Sequence, residues 1–197
     1  MLEEMAMADV IFRNAVEVAK VFCQQKLGVG EVAVDCTMGN GNDTAFLCEL
    51  VGEEGKVYAF DIQESAIENT KRRLEDLGFE KRAQLILDGH EKVDQYVKER
   101  VQFIIFNLGY LPKGDHSITT KKETTLEAVE KGLGLLKKNG IMLLVLYPGH
   151  ESGREEREEL LEMVASLEQR RFGVFHLKYL NQINNPPEIL CIEKIKE

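Results

Sequence analysis

Short apolar runs alternate with stretches of helical periodicity along most of this chain. The runs cover residues 32–36, 56–61, 83–88, 102–107, 140–147, 172–180 and 188–195. In the stretches between the first five runs, such as AIENTKRRLEDLG, apolar residues recur three and four positions apart, as in helices with one buried face. Strands that alternate with helices pack as a parallel sheet with right-handed crossovers, so the pattern predicts an α/β fold.

The last two runs break this alternation. Only the turn-rich segment NQINNPPE separates 172–180 from 188–195, and it carries no helical pattern. Two strands joined in this way form an antiparallel hairpin. The sequence therefore predicts a seven-stranded, mostly parallel sheet with an antiparallel terminal hairpin at one edge. Gly78 and Gly140 follow two of the helical stretches, where a left-handed glycine commonly ends a helix.

Length and composition are those of one ordinary soluble domain over residues 1–197, with 44% hydrophobic and 30% charged residues. A first helix is predicted over roughly residues 9–27, and the segment 1–28 that contains it is expected to lie over the ligand mouth. No apolar run approaches the roughly 20 residues that span a bilayer. The N-terminus also lacks the basic start and apolar middle of a signal peptide, so we expect a cytoplasmic protein.

Charge and cysteine spacing argue against further classes of protein. The formal net charge of −9 is unfavourable for a protein that coats nucleic acid indiscriminately, although it is compatible with a local basic patch. The four cysteines show no CxxC spacing and lie in apolar segments: Cys23, Cys36, Cys48 and Cys191. They are interpreted as buried, reduced thiols rather than as a disulfide framework or a metal site.

A glycine-rich segment, VDCTMGNGNDTAFL, follows the first predicted strand. Ligands of parallel sheets bind at the carboxyl ends of the strands, where Gly39 and Gly41 would let the backbone approach a ligand closely. Asp43 or Thr44 is expected to cap the next helix. Because Asp35 would repel a pyrophosphate and Thr44 replaces the third glycine of a dinucleotide fingerprint, the segment favours a cationic ligand over NAD.

Carboxylates also end the second and third predicted strands. Asp61 follows the glycine segment at a spacing where a carboxylate can accept both hydroxyls of a ribose, and Gln63 lies within reach of the same group. Asp88, followed by Gly89 and His90, can hold the exocyclic amine of adenine through its carboxylate or the adjacent backbone. These groups describe adenosine joined to a positive charge without phosphate, which is the form of S-adenosylmethionine.

With these motifs the chain resembles class I S-adenosylmethionine-dependent methyltransferases over residues 32–195. It is similar in particular to a small bacterial family of rRNA methylases, through DCTMGNGNDT, FDIQ, the Asp-Gly-His at 88–90, NLGYLPKGDH, YPGH and NQINNPPEIL. The resemblance implies a Rossmann-like fold. Members similar to the YtqB type methylate the 5-aminomethyl group of uridine or 2-thiouridine at the tRNA wobble position, so the resemblance implies a tRNA anticodon loop as substrate.

The resemblance also implies site residues. Asn107 and Tyr110 keep the asparagine and the aromatic residue of the Asn-Pro-Pro-Tyr motif of amino-methyltransferases, and they would orient the acceptor amine and cover the base. The implied cofactor-binding residues are Asp35, Thr37, Gly39, Asn40, Gly41, Asn42, Asp43, Thr44, Asp61, Ile62, Gln63, Asp88, Gly89, His90, Asn107 and Leu108. The implied substrate-binding residues are Tyr110, Asp115, His116, Tyr147, Gly149, His150, Asn184 and Asn185.

Several alternatives remain open from the sequence. Asp115, His116 and His150 are candidates to accept the proton that a substrate ammonium must lose, and bulk water could take it equally well. The methyl acceptor could also be rRNA, a small amine or a protein. An NAD-dependent oxidoreductase and a non-catalytic binding module are the further alternatives. The apolar terminal hairpin is a candidate interface for a homodimer.

Overall fold

A computed structural model describes residues 11–109 and 120–197 of the chain. The strands are β1 (Val32–Asp35), β2 (Lys56–Asp61), β3 (Ala83–Leu87), β4 (Val101–Asn107), β5 (Leu136–Leu146), β6 (Phe172–Leu177) and β7 (Glu188–Lys194). The helices are α1 (Ala15–Lys26), α2 (Asn42–Val51), α3 (Glu64–Leu77), α4 (Val93–Tyr96), α5 (Lys122–Leu135) and α6 (Glu151–Ala165), with short 3-10 turns at Ile11–Arg13 and His90–Lys92.

All seven strands form one sheet in the order β3-β2-β1-β4-β5-β7-β6. The first five strands run parallel, whereas β7 is antiparallel to both β5 and β6. The predicted mostly parallel sheet with an antiparallel hairpin at one edge is therefore confirmed. The chain leaves β1 toward β2 on one side and later returns to β4 on the other, which places the topological switch point between β1 and β4.

Strand β4 shows why the strands of this sheet are continuous apolar runs in the sequence. Its central residues are all buried, with Ile104 and Phe106 in the core on one face and Phe103 and Ile105 in the core on the other. Helices α1 and α2 cover the second face, and α4, α5 and α6 cover the first. Because both faces of the strand are covered, successive residues are apolar instead of alternating with polar ones.

The predicted N-terminal helix exists but begins later than expected. Asn14 has extended backbone angles, and its side chain accepts a hydrogen bond of 2.9 Å from the backbone N–H of Glu17, so the helix starts at Ala15. An asparagine in this position satisfies a backbone donor that has no partner within the helix. The earlier part of the predicted helix, residues 9 and 10, lies outside the described residues.

The two glycines predicted to end helices behave differently. Gly78 has left-handed backbone angles and ends α3, as predicted. The prediction for Gly140 is wrong, because α5 ends at Leu135 and Gly140 lies inside β5. The left-handed residue there is Asn139, with a φ of 64°. A Cβ on Gly140 would lie 2.9 Å from the carbonyl oxygen of Lys137, so this glycine serves a close backbone approach.

The remaining fold-level predictions concern the cysteines and membrane spans. All four cysteines are free and buried, which confirms their interpretation as core thiols. Burial raises the pKa of each thiol, so all four are protonated near neutral pH. Among the described residues, no helix combines the length and apolar character that crossing a bilayer requires.

Candidate active site

Those predicted site residues that the structure describes lie along the carboxyl edge of the sheet, where the parallel strands end. Across this edge, from one side to the other, lie Asp88 after β3, Asp61 in β2, Asp35 and the glycine loop at β1, Asn107 in β4, Tyr147 after β5, and Asn184 and Asn185 between β6 and β7. Within residues 11–109 and 120–197, most of the predicted cofactor residues thus lie on the β3 side and the predicted substrate residues on the β5 side. Asn107 stands at the boundary between the two groups.

The glycine loop between β1 and α2 contains two glycines with left-handed backbone angles. Gly39 and Gly41 have φ values of 51° and 74°, and the N–H of Gly41 bonds the carbonyl oxygen of Met38 at 2.8 Å. Gly41 itself is the N-cap of α2 and has no side chain with which to cap it. The expectation that Asp43 or Thr44 caps this helix is therefore wrong, because both lie within its first turn and bond elsewhere.

Three side chains of α3 hold the glycine loop in place. Thr70 donates to the carbonyl oxygen of Gly39 at 3.2 Å, and Asn69 donates to the side-chain oxygen of Asn40 at 3.1 Å. Arg73 donates to the backbone carbonyl of Asn40 at 2.8 Å. Sequence reasoning missed these residues. They share one face of a helix, but no local pattern indicates that this face meets a loop about thirty positions earlier.

Asp35 is buried beneath the loop rather than exposed to a ligand. Its carboxylate accepts hydrogen bonds from the Thr44 hydroxyl at 2.7 Å and from the Thr37 N–H at 3.1 Å, and the residue is 1% exposed. Burial, together with the negative charge of Asp43, raises the pKa of Asp35 to about 7. Asp35 therefore supports the backbone of the loop and the start of α2, through the Thr37 N–H and the Thr44 hydroxyl.

This buried carboxylate predicts a pH-dependent difference in stability between the chain and its Asp35→Asn variant. The ordinary pKa of 3.8 applies when the chain is unfolded, whereas the folded value is about 7. Folding thus binds a proton between these values, so the stabilisation from Asp35 is full below pH 3.8 and is lost as pH rises to about 7. Asparagine does not titrate.

We therefore expect the free energy of unfolding of Asp35→Asn to rise relative to that of the unmodified chain as pH increases over this interval. The slope should be at most about 1.4 kcal/mol per pH unit. Urea unfolding of both proteins at matched pH values measures the difference. A difference that does not change with pH would contradict the raised pKa of Asp35.

Asp61 lies where the sequence places it, at the end of β2 beside the glycine loop. One carboxylate oxygen accepts the N–H of Gly39 at 3.0 Å and the other accepts the N–H of Gln63 at 3.0 Å. Each oxygen has a second lone pair, so the group retains the capacity to accept two hydroxyls. Ile62, the residue between Asp61 and Gln63, is 62% exposed and offers an apolar surface beside the carboxylate.

Asp88 is engaged by its own downstream turn. Its carboxylate accepts hydrogen bonds from Lys92 at 2.6 Å, from the Tyr96 hydroxyl at 2.8 Å and from the Gly89 N–H at 2.8 Å. The bonds from Lys92 and Tyr96 hold the pKa of Asp88 below its ordinary value. The carboxylate is therefore charged at neutral pH and rigidly placed. Sequence reasoning missed both Lys92 and Tyr96.

His90 begins the 3-10 turn that follows β3. One of its ring nitrogens has no protein partner among the described residues. Nδ1 lies 3.0 Å from the carbonyl oxygen of Cys36, so it must carry the hydrogen, and the ring packs edge-on against Phe106. Burial lowers the pKa of His90, which favours the neutral ring. Nε2 is then a buried acceptor, and no described residue donates to it.

Asn107 is held by two hydrogen bonds at the end of β4. Its backbone N–H donates to the Thr37 hydroxyl oxygen at 2.7 Å, and its side-chain amide donates to Asp43 at 3.3 Å. The next residue, Leu108, is buried and donates its N–H to the carbonyl oxygen of Val145 at 3.0 Å. The Asn107 side chain is thus oriented by Asp43, a contact that links the predicted acceptor position to the helix after the glycine loop.

A buried carboxylate supports the turn that follows Asn107. Glu156 of α6 accepts hydrogen bonds from Thr120 at 3.0 Å and Thr125 at 2.6 Å. Thr120 in turn contacts Gly109 twice, through its hydroxyl oxygen and its N–H. Gly109 has a φ of 138°, which favours glycine, and lies near the Tyr147 ring. Sequence reasoning missed Glu156, which reads as one of many acids on a surface helix.

The other predicted substrate residues are only partly brought together. His150 caps α6 by accepting the N–H of Gly153 at 3.0 Å, and Gly149 beside it is exposed. Asn184 and Asn185 have left-handed φ values in an exposed turn, separated from Asn107 by the ends of β5 and β7. Three predicted residues, Tyr110, Asp115 and His116, lie outside the described residues. Among the cofactor predictions, Asn42 is exposed on the first turn of α2.

The sequence matches the profile of the family described as "Putative rRNA methylase" over residues 57–193. The chain belongs to this family. A curated relative, the chloroplastic tRNA (mnm(5)s(2)U34)-methyltransferase of Arabidopsis thaliana, is 42% identical over 156 residues. The match covers 74% of this chain but only 57% of that relative, so the chain spans little more than half of its length.

Solved structures of similar proteins confirm the Rossmann-like methyltransferase fold. A protein from Clostridium thermocellum, described as an rRNA-methylase, superposes with a TM-score of 0.91 at 46% identity and covers 93% of this chain and 98% of its own. A methyltransferase from Streptococcus mutans, solved in complex with SAH, gives a TM-score of 0.85 at 42% identity, covering 92% and 98%. The similarity to these two proteins therefore extends over nearly the whole chain.

Proposed function

We propose that this chain is an S-adenosylmethionine-dependent N-methyltransferase of RNA. Its proposed acceptor is the 5-aminomethyl group of uridine or 2-thiouridine at the tRNA wobble position. One observation carries the proposal. Residues suited to a nucleoside cofactor and residues suited to a methyl acceptor meet at Asn107, on one edge of the sheet. The name of the 42% identical relative supports the choice of acceptor.

The residues on the β3 side of the edge fit S-adenosylmethionine. Asp61 retains two acceptor positions for ribose hydroxyls, and Nε2 of His90 is a buried acceptor to which no described residue donates. Asp43, half-buried at the start of α2, provides negative charge for a cationic group. When bound, S-adenosylmethionine supplies a methyl group that a positively charged sulfur makes electrophilic. These features support the methyltransferase over an NAD-dependent oxidoreductase.

On the acceptor side, the chain has to orient an amine and exclude water. Asn107 is already oriented by Asp43 and can present its side-chain oxygen to an amine hydrogen. Tyr110 is proposed to cover the base, and Tyr147, with its neighbours Gly149 and His150, to line the substrate side. Single-stranded bases are recognised by stacking and edge hydrogen bonds, which these residue types provide.

The decisive experiment supplies labelled S-adenosylmethionine and bulk tRNA from cells that lack this gene. Bulk rRNA and wild-type tRNA are the controls, and the nucleosides are then identified by mass spectrometry. Label in gene-deleted tRNA alone, as methylaminomethyl uridine, is the expected result. Label in rRNA would instead support a second candidate function, methylation of rRNA, which the description of the family favours. Cofactor binding without label in any RNA would reject an RNA substrate.

We further propose that the chain is a homodimer that joins through its terminal hairpin and acts in the cytoplasm on tRNA. Strand β6 is an edge of the sheet, and its Phe175 and Val174 are 63% and 38% exposed. An exposed apolar edge strand presents unpaired backbone groups to which another chain can add.

Light scattering should accordingly give twice the chain mass of 22.4 kDa, and Phe175→Glu should give the monomer. Val29→Glu is the matched control, because Val29 is also largely exposed but lies far from the hairpin, in the turn before β1. A monomeric mass for the unmodified chain, or an unchanged dimer in Phe175→Glu, would reject this interface.

A further inference from the structure

A cleft between α1 and α2 adjoins the candidate site and brings two opposite charges together. Lys20 of α1 and Asp43 of α2 line it, together with Val16 and Phe46, and the inner part of the cleft reaches Asn107. The cleft is therefore continuous with the end of β4, where the cofactor and acceptor groups meet. Among the described residues that line the cleft, Lys20 supplies the positive charge.

The ammonium group of Lys20 lies at the cleft rather than away from it. Its Nζ atom is 5.9 Å from the centre of the Phe46 ring, and Phe46 lines the cleft. Its ion pair within 4 Å is with Glu17, at 3.0 Å, and both side chains are more than a third exposed. A pair of this kind is weak in water, so little free energy opposes an exchange of Glu17 for another carboxylate.

From this arrangement we infer that Lys20 binds the α-carboxylate of S-adenosylmethionine, an inference that rests on the proposed cofactor. The methionine end of that molecule carries an ammonium and a carboxylate on one carbon atom, and the cleft offers Asp43 and Lys20 as their counterparts. Asp43 lies two residues after Gly41, so the cleft begins where the glycine loop ends. Charge-assisted hydrogen bonds of this type are the stronger ones in proteins.

The test pairs the removal of Lys20 with the removal of the carboxylate it is inferred to bind. Isothermal titration calorimetry of the full chain compares S-adenosylmethionine with decarboxylated S-adenosylmethionine, which lacks that group. Lys20→Met should weaken binding of S-adenosylmethionine about tenfold and leave binding of the decarboxylated molecule unchanged. Lys20→Arg should restore most of the affinity, because it keeps the charge.

Lys71→Met is the matched control, because it removes the same charge from an exposed position on α3 and should change neither affinity. Equal weakening of both ligands by Lys20→Met, or weakening of neither, would overturn the assignment of Lys20 while leaving the proposed function intact. Failure of the unmodified chain to bind S-adenosylmethionine at all would overturn both. Circular dichroism of each variant establishes that it is folded.

Discussion

Asn107→Ala is expected to lower kcat for methyl transfer about 100-fold while leaving S-adenosylmethionine affinity nearly unchanged. The side chain is positioned by its hydrogen bond to Asp43, and in the proposed function its oxygen orients the acceptor amine. Loss of one preorganised hydrogen-bonding group in an active site typically lowers the rate by roughly 100-fold to 1,000-fold. The backbone contact with Thr37 does not involve the side chain and should survive the substitution.

The measurement combines single-turnover transfer to tRNA from gene-deleted cells with calorimetry of cofactor binding. Gln102→Ala is the matched control, because Gln102 lies at the opposite end of the same strand and also loses an amide hydrogen bond. A variant at Asn107 that keeps most of its kcat would refute the assigned role. A parallel loss of cofactor affinity would assign Asn107 to the cofactor instead of the acceptor.

Gly41→Ala is expected to destabilise the fold by about 2–5 kcal/mol and to abolish cofactor binding. Two costs add: the left-handed φ of 74° disfavours a side chain by about 1–2 kcal/mol, and the new Cβ would lie 2.9 Å from the Cα of Thr70. The second contact is with backbone, so relief requires a shift between α2 and α3, which costs about 1–3 kcal/mol.

Gly78→Ala separates the two costs. Gly78 has nearly the same φ, 71°, but no atom lies within 4 Å of its added Cβ. Urea unfolding should therefore show a loss of only about 1–2 kcal/mol for Gly78→Ala, and its cofactor affinity should be unchanged. Equal destabilisation of the two variants would show that the approach of Thr70 to the glycine loop is not as close as described.

The sequence is most informative where one local pattern dictates the structure. The FIIF run of β4 is apolar because both faces of the strand are covered, and the end of this run correctly predicts Asn107 at the end of the strand. Gly39 and Gly41 have positive φ values in the structure, which glycine adopts without strain. The mostly parallel arrangement follows from the alternation of strands and helices, since right-handed crossovers leave few topologies.

The sequence is less predictive where a polar side chain has several possible hydrogen-bond partners. The sequence favours an Asp35 that faces a cationic ligand, but this residue is buried and bonded to Thr44, which the sequence favours as a helix cap. Both residues have short polar side chains that can bond the local backbone or a distant group equally well. The choice depends on the path of the loop between them, which no spacing along the chain reveals.

The sequence by itself determined the kind of sheet, the strand ends that carry polar residues and the family to which the chain belongs. Only the tertiary structure decided which side chains support the site: Arg73 on the glycine loop, Thr37 on Asn107, and Lys20 at the cleft. The physical reason is distance along the chain. The Arg73 and Thr37 contacts join residues 33 and 70 positions apart, so folding of the whole sheet must bring them together before either hydrogen bond can form.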